Sequence, residues 1–181
     1  MSYILGLDVS TSIIGYTILD SDFSVVEIDH IDLRKIKGLW CKTDSAKIRL
    51  NDILEKYKDK LSHVYIEESL QVFRSGFSSA HTLSTLSKFN GLIFYIVRGY
   101  TNKEPVYISA IGARKTCGIK IKKGEKAKIQ AFNWVTTQIN MEWPMTKKGN
   151  IQQYCYDRSD SYVIARAGQV LENSDKNEPI E

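Results

Sequence analysis

The sequence predicts an α/β fold in which a mixed central sheet, three antiparallel N-terminal strands joined by later parallel strands, is flanked by helices. Two observations carry this. Residues 3–9, 13–19 and 25–33 alternate apolar and polar side chains at strand period between Ser/Thr-rich and Asp/Ser-rich turns. Beyond residue 45, helix-period and strand-like runs take turns, the order that places parallel strands beside a meander.

Each later element has its own reason. Leu50, Ile53, Leu54, Tyr57 and Leu61 fall at helical spacing, which predicts an amphipathic helix over 45–61 that packs on the sheet. Val64 and Ile66 mark a short strand over 63–67 that ends in two carboxylates. After a Ser/Gly-rich loop, Leu83, Leu86, Ile93, Phe94 and Val97 line one side of a long helix over 79–100. Gly91 in its middle costs about 1 kcal/mol relative to Ala, so a close helix contact is expected there. Residues 105–108 read as a strand followed by a basic loop, 125–139 as a helix carrying Ile129, Phe132 and Val135, and 141–150 as a loop with Pro144 and Gly149. A last helix starts near Gln153 and runs through Ala167, and the polar chain from Glu172 onward is expected to fray. The expected organisation is one domain over 1–170 and a tail over 171–181.

With 181 residues, 43% of them apolar and only three prolines, the chain has the composition of a packed globular domain rather than a disordered or fibrous one. No run reaches the ~18 apolar residues of a membrane span, and no signal-like N-terminus is seen, so a cytoplasmic protein with no membrane partner is expected. Cys41, Cys117 and Cys155 are odd in number and lack CxxC spacing, which argues against a disulfide framework or a zinc site. His30, His63 and His81 show no ligand spacing either, and Trp40, Trp134 and Trp143 are expected to pack.

Charge is concentrated. Seven cations, Arg114, Lys115, Lys120, Lys122, Lys123, Lys126 and Lys128, stand against the single acid Glu125, giving this stretch +6 while the whole chain carries +4. Such a local patch suits an anionic polymer bound at one place; a solvated lysine-rich loop is the plainer alternative.

Four acids stand out. Asp8 lies in the apolar run Ile4-Leu5-Gly6-Leu7-Asp8-Val9, and Glu67 closes Val64-Tyr65-Ile66-Glu67; an ionised group in either place requires a compensating partner. Asp157 and Asp160 are spaced i, i+3 and emerge on one face of the last helix. If the two strands are neighbours and the helix packs beside them, the four carboxylates gather, and their repulsion calls for cations. Oxygen ligands favour Mg²⁺ first and Mn²⁺ next, and two such ions suit an in-line phosphodiester displacement.

This order of acids, with the residues around it, resembles the RuvC family of Holliday junction resolvases, of the RNase H-like (retroviral-integrase-like) fold, over most of the chain. Ile4-Leu5-Gly6-Leu7-Asp8-Val9-Ser10 with Gly15-Tyr16 is similar to the family's first strand and hairpin, and Tyr65-Ile66-Glu67-Glu68 to its second acidic motif. Gly76-Phe77-Ser78-Ser79-Ala80 through Leu86 and Asn90-Gly91 resembles the following loop and the helix that forms the family's dimer contact. Ala113-Arg114-Lys115 with Gly118, and Lys123-Gly124-Glu125-Lys126-Ala127-Lys128, resemble the segment that grips DNA, and Asp157-Arg158-Ser159-Asp160-Ser161 the closing acidic pair. Arg158 and Tyr162 stand where small residues are usual, and the glycine spacing of the basic segment also differs, which suggests a divergent branch, a viral one among the candidates.

The resemblance implies a homodimeric crossover junction endodeoxyribonuclease of DNA recombination and repair, acting on four-way branched DNA without an organic cofactor. Asp8, Glu67, Asp157 and Asp160 would be catalytic and hold two Mg²⁺ ions, Mn²⁺ substituting; Glu67 is preferred to Glu68 because it follows the apolar run directly. The seven cations would contact phosphates, Phe73 and Phe77 would stack on unpaired bases, and Phe89, Asn90, Gly91 and Phe94 would meet the second copy. Rival readings are a nuclease of the same fold for flaps, forks or RNA, a catalytically dead DNA-binding protein, and an actin-like nucleotide-binding domain. The last needs two such halves, and the chain has length for one.

Overall fold

Alternation in the first strand decides the architecture, because it sends Leu5, Leu7 and Val9 to one apolar cluster and Ile4 to another on the opposite face. A computed structural model describes residues 2–69, 80–122 and 124–175 of the chain. Strands β1 (Tyr3–Val9), β2 (Ile13–Leu19) and β3 (Val25–Asp32) form the antiparallel meander; β4 (Leu61–Glu67) and β5 (Val106–Ile108) add in parallel, giving the order β3-β2-β1-β4-β5. The carboxyl ends of β1, β3, β4 and β5 therefore lie at one edge of the sheet, where ligands of open α/β sheets bind.

Helices α1 (Leu39–Tyr57) and α2 (Ala80–Thr101) cover one face through Ala46, Leu50, Ile53, Leu54, Phe89, Ile93 and Val97. Helix α5 (Gln153–Asp175) covers the other, with α3 (Ala110–Thr116) and α4 (Ala127–Gln138) packed against it. No helix is long and apolar enough to cross a membrane.

Several expectations are corrected. The first helix spans 39–57 rather than 45–61: Gly38, at φ +81°, turns the chain into it, and Leu61 is the buried first residue of β4. The start of the basic stretch is not a loop but helix α3, capped by the Ser109 hydroxyl, which accepts from the Gly112 amide at 3.0 Å. Gly91 makes no close contact, since a Cβ there would meet nothing within 4 Å. The close approach lies elsewhere: a Cβ on Gly6 would stand 2.4 Å from the Ala165 amide nitrogen, and one on Gly15 2.1 Å from the Asp157 carbonyl oxygen. Only glycine admits α5 this near the sheet. Nor does the chain fray from Glu172, because α5 continues to Asp175 and the Glu172 carboxylate accepts from the Tyr65 hydroxyl at 2.5 Å and pairs with His63 at 3.1 Å. Of the tryptophans, Trp134 and Trp143 pack as expected, whereas Trp40 is 70% exposed.

Candidate active site

The carboxyl edge of the sheet collects the four acids. Cross-strand neighbours share a face, and Asp8 pairs with Gly15. Because Gly15 has no side chain, the second turn of α5 settles onto it with the Asp157 carbonyl against the strand, which brings Asp157 over the row that holds Asp8. One turn further on, the Thr17 and Ser161 hydroxyls meet at 2.8 Å in a fully buried contact that fixes the rotation of α5. The parallel register Leu7↔Ile66 continues to place Glu67 beside Asp8. Asp157 and Asp160 are each less than a tenth exposed. Glu68, by contrast, is exposed.

Electrostatics bind the group together. The Asp8 carboxyl is held well above its ordinary range by burial, then by the charges of Glu67, Asp160 and Asp157. Burial, with Asp160 next, pushes Glu67 up to about 7 against the pull of Arg114 and Lys128. Asp160 is raised by burial despite both cations. Lys128 Nζ donates to Asp157 Oδ1 at 2.7 Å and lies 3.4 Å from Asp160 Oδ2, while Arg114 Nη2 stands 3.6 Å from Asp160 Oδ1. Burial opposes the Lys128 charge, but Asp8, Asp160 and Asp157 outweigh it and raise its pKa.

The donor set is all oxygen and suits a hard divalent cation. As the side chains stand, no three carboxylate, imidazole or thiol ligands converge to hold a metal ion among the described residues. The Lys128 ammonium takes that position between Asp157 and Asp160. Full ionisation of all four carboxylates against these two cations would leave a formal −2, the charge that one divalent ion neutralises.

The remaining expected residues divide. Arg114 and Lys128 turn toward the acids, while Lys115, Lys120, Lys122 and Lys126 face solvent on α3 and the segment before α4. Lys123, Phe73 and Phe77 lie outside the described residues. On α2, Phe89 and Asn90 do not face outward: Phe89 sits in the core, and Asn90 Nδ2 donates to the Glu67 carbonyl at 2.8 Å, steadying the end of β4 from within. Phe94 stacks on Tyr107 with centroids 5.1 Å apart, and only Gly91 of the four is fully exposed.

Sequence reasoning missed one support. Arg158, between the two aspartates of α5, donates through Nη2 to Asp29 Oδ1 and through Nε to His30 Nδ1 at 3.2 Å, while His30 stacks on Tyr154 at 4.1 Å. Burial holds the His30 pKa below its ordinary value, consistent with a neutral ring that accepts from Arg158. These contacts tie the acidic turn of α5 to β3. Their signal was the displacement of a small residue by Arg158, whose partners on a distant strand no spacing discloses.

No protein-family model and no curated protein matches the sequence. Solved structures do resemble the fold. RuvC of Thermus thermophilus in complex with a Holliday junction substrate superposes with a TM-score of 0.67 at 9% identity, covering 99% of this chain and 100% of that one. A second structure of T. thermophilus RuvC gives 0.66 at 12% identity, over 98% and 99%. The Fowlpox virus resolvase bound to Holliday junction DNA gives 0.47 at 14% identity, over 97% and 99%. The chain has the RNase H-like fold of RuvC.

Proposed function

We propose that this protein is a structure-selective DNA endonuclease that resolves four-way junctions by hydrolysing phosphodiester bonds, leaving 5′-phosphate and 3′-hydroxyl ends. The observation that carries the reading is the gathering of four carboxylates, Asp8, Glu67, Asp157 and Asp160, at the carboxyl edge of the sheet, with Lys128 and Arg114 beside them. The junction substrate in the T. thermophilus RuvC structure supports branched DNA as the ligand.

Asp8, Glu67, Asp157 and Asp160 would hold divalent cations, Mg²⁺ first and Mn²⁺ in its place. When bound, such ions lower the pKa of water and stabilise charge on the departing oxygen, and a two-ion site does both at once. Lys128 would have to leave its place between Asp157 and Asp160 for both aspartates to serve as ligands. The chain itself supplies the rest. Arg114 offers its planar fork to a phosphate, and Lys115, Lys120, Lys122 and Lys126 neutralise backbone charge along the approach. Arg158 and the Thr17–Ser161 contact keep the aspartates of α5 in place.

A four-way junction has approximate two-fold symmetry, so a homodimer is the assembly suited to paired nicks. A contact through α2 would use its outer face, where Gly91 and Tyr95 are exposed. The test is a panel of end-labelled DNAs with Mg²⁺: a four-way junction, a flap, a fork, an RNA–DNA hybrid and linear duplex. Symmetric paired nicks confined to the junction are expected. Equal cutting of linear duplex contradicts junction selectivity, and preferential cutting of flaps, forks or RNA reassigns the substrate.

A further inference from the structure

The segment between β3 and the first turn of α1 stands at the same edge as the acids. From residue 33 to residue 43 it carries Arg34, Lys35, Lys37 and Lys42 and no acid. Asp32 answers Arg34 with contacts of 2.9 and 2.6 Å, but Lys35, Lys37 and Lys42 have no carboxylate partner among the described residues. In their midst Trp40 is 70% exposed on the first turn of α1. An indole with so much of its surface in water contributes little to burial.

The segment is anchored beside the acids. The Leu33 amide donates to the Ser12 carbonyl at 2.9 Å, and Lys42 Nζ donates to the Thr11 carbonyl, both in the turn that begins directly after β1. Arg34 lies within electrostatic reach of Asp157. In the order β3-β2-β1-β4-β5, Asp8 and Glu67 sit on the middle strands; this segment leaves the strand at one end, and α3, with Arg114 and Lys115, follows the strand at the other. Two cationic banks thus flank the acidic pocket.

We infer that Trp40, with Lys35 and Lys37, is a second DNA-contact element that stacks an unpaired nucleobase while the lysines hold the adjoining phosphates, on the flank opposite α3. The inference rests on the nuclease reading and adds to it the means of telling branched from linear DNA. Indole stacking is indifferent to base identity but needs an unstacked face, which a branch point offers and a continuous duplex does not. A cationic run without acids fits a polyanion. A protein partner would need a larger apolar surface than one ring, and Asp44 separates Trp40 from the next exposed large hydrophobic residue of that helix, Ile48.

The test measures binding in chelator of a fluorescein-labelled four-way junction and of a linear duplex of the same sequence, by anisotropy, for the parent protein, Trp40→Ala, Trp40→Phe and Lys35→Ala/Lys37→Ala. Trp40→Ala is expected to weaken junction binding roughly ten-fold with duplex binding within about two-fold, and Trp40→Phe to restore most of the loss. The double lysine variant should reduce the slope of log affinity against log salt by about 1 per lysine. Unchanged junction affinity in Trp40→Ala overturns the inference while leaving the nuclease reading intact. So does an equal loss on both DNAs, or a change in sedimentation of the free protein with DNA binding unaltered. A parent protein with no preference for the junction over duplex overturns both.

Discussion

Lys128 Nζ lies 2.7 Å from Asp157 Oδ1 and 3.4 Å from Asp160 Oδ2, so one lysine answers both aspartates of α5. It is the principal internal counter-charge of the pocket, and a divalent ion would take over that role. Lys128→Ala should lower the melting temperature in chelator by several degrees, and Mg²⁺ should raise it again by more than it raises that of the parent, following RT ln(1 + [L]/Kd). Scanning calorimetry with and without Mg²⁺ checks this. Equal Mg²⁺ shifts in both proteins would contradict a shared site.

The raised carboxyls give a pH dependence with a definite sign. A group whose folded pKa lies above its unfolded value contributes stability in full below the unfolded pKa, here about 4. That contribution is lost as pH rises through the folded value, about 7 for Glu67. In chelator the protein should therefore melt lower at pH 8 than Glu67→Gln does, with the gap closing toward pH 5. His30, whose pKa burial lowers, slopes the other way in both proteins and cancels from the difference. A gap on the order of 1 kcal/mol corresponds to roughly 2–4 °C for a chain of this size.

Gly15 and Gly91 should respond oppositely to alanine. At Gly15 the new methyl meets the Asp157 carbonyl 2.1 Å away, so α5 must lift from the sheet and carry Asp157 from Asp8. We expect a loss of about 1–3 kcal/mol by denaturant titration and at least ten-fold in cleavage. At Gly91 the methyl enters open space in a helix, and the substitution should gain up to about 1 kcal/mol.

The end of α5 is structural. Gly168 lets the Tyr65 ring lie against the helix, where a Cβ would stand 2.2 Å from it, and Glu172 receives the Tyr65 hydroxyl. A chain ending at residue 170 should lose about 1.5–3 kcal/mol, the worth of a charged hydrogen bond, relative to one ending at residue 175, read from thermal scans.

Much of this was legible beforehand, and the reasons for success and failure are specific. Period-two alternation disclosed β1, β2 and β3, and the cost of Asp8 and Glu67 in apolar runs singled them out before any geometry was known. Helix α3 was hidden because Gly112 and a run of cations resemble a loop, although Ser109 was a usable cap signal. Gly91 drew attention through its cost in a helix, yet the glycines under steric demand include Gly6 and Gly15, whose neighbours come from α5 some 140 or more positions later, and Gly168, which meets Tyr65. Phe89 and Asn90 misled for a similar reason: periodicity finds an apolar helix face but not what it faces. Trp40 shows the converse, a residue type usually buried that three-dimensional placement leaves in solvent.

The most direct test of the account is the nicking of a four-way junction in Mg²⁺ by the parent protein beside Asp8→Asn and Asp160→Asn, with melting curves to establish that each variant is folded. The account predicts paired symmetric nicks by the parent and at least a hundred-fold loss in both folded variants, roughly the contribution of a transition-state charge contact. Undiminished nicking by either variant would contradict it.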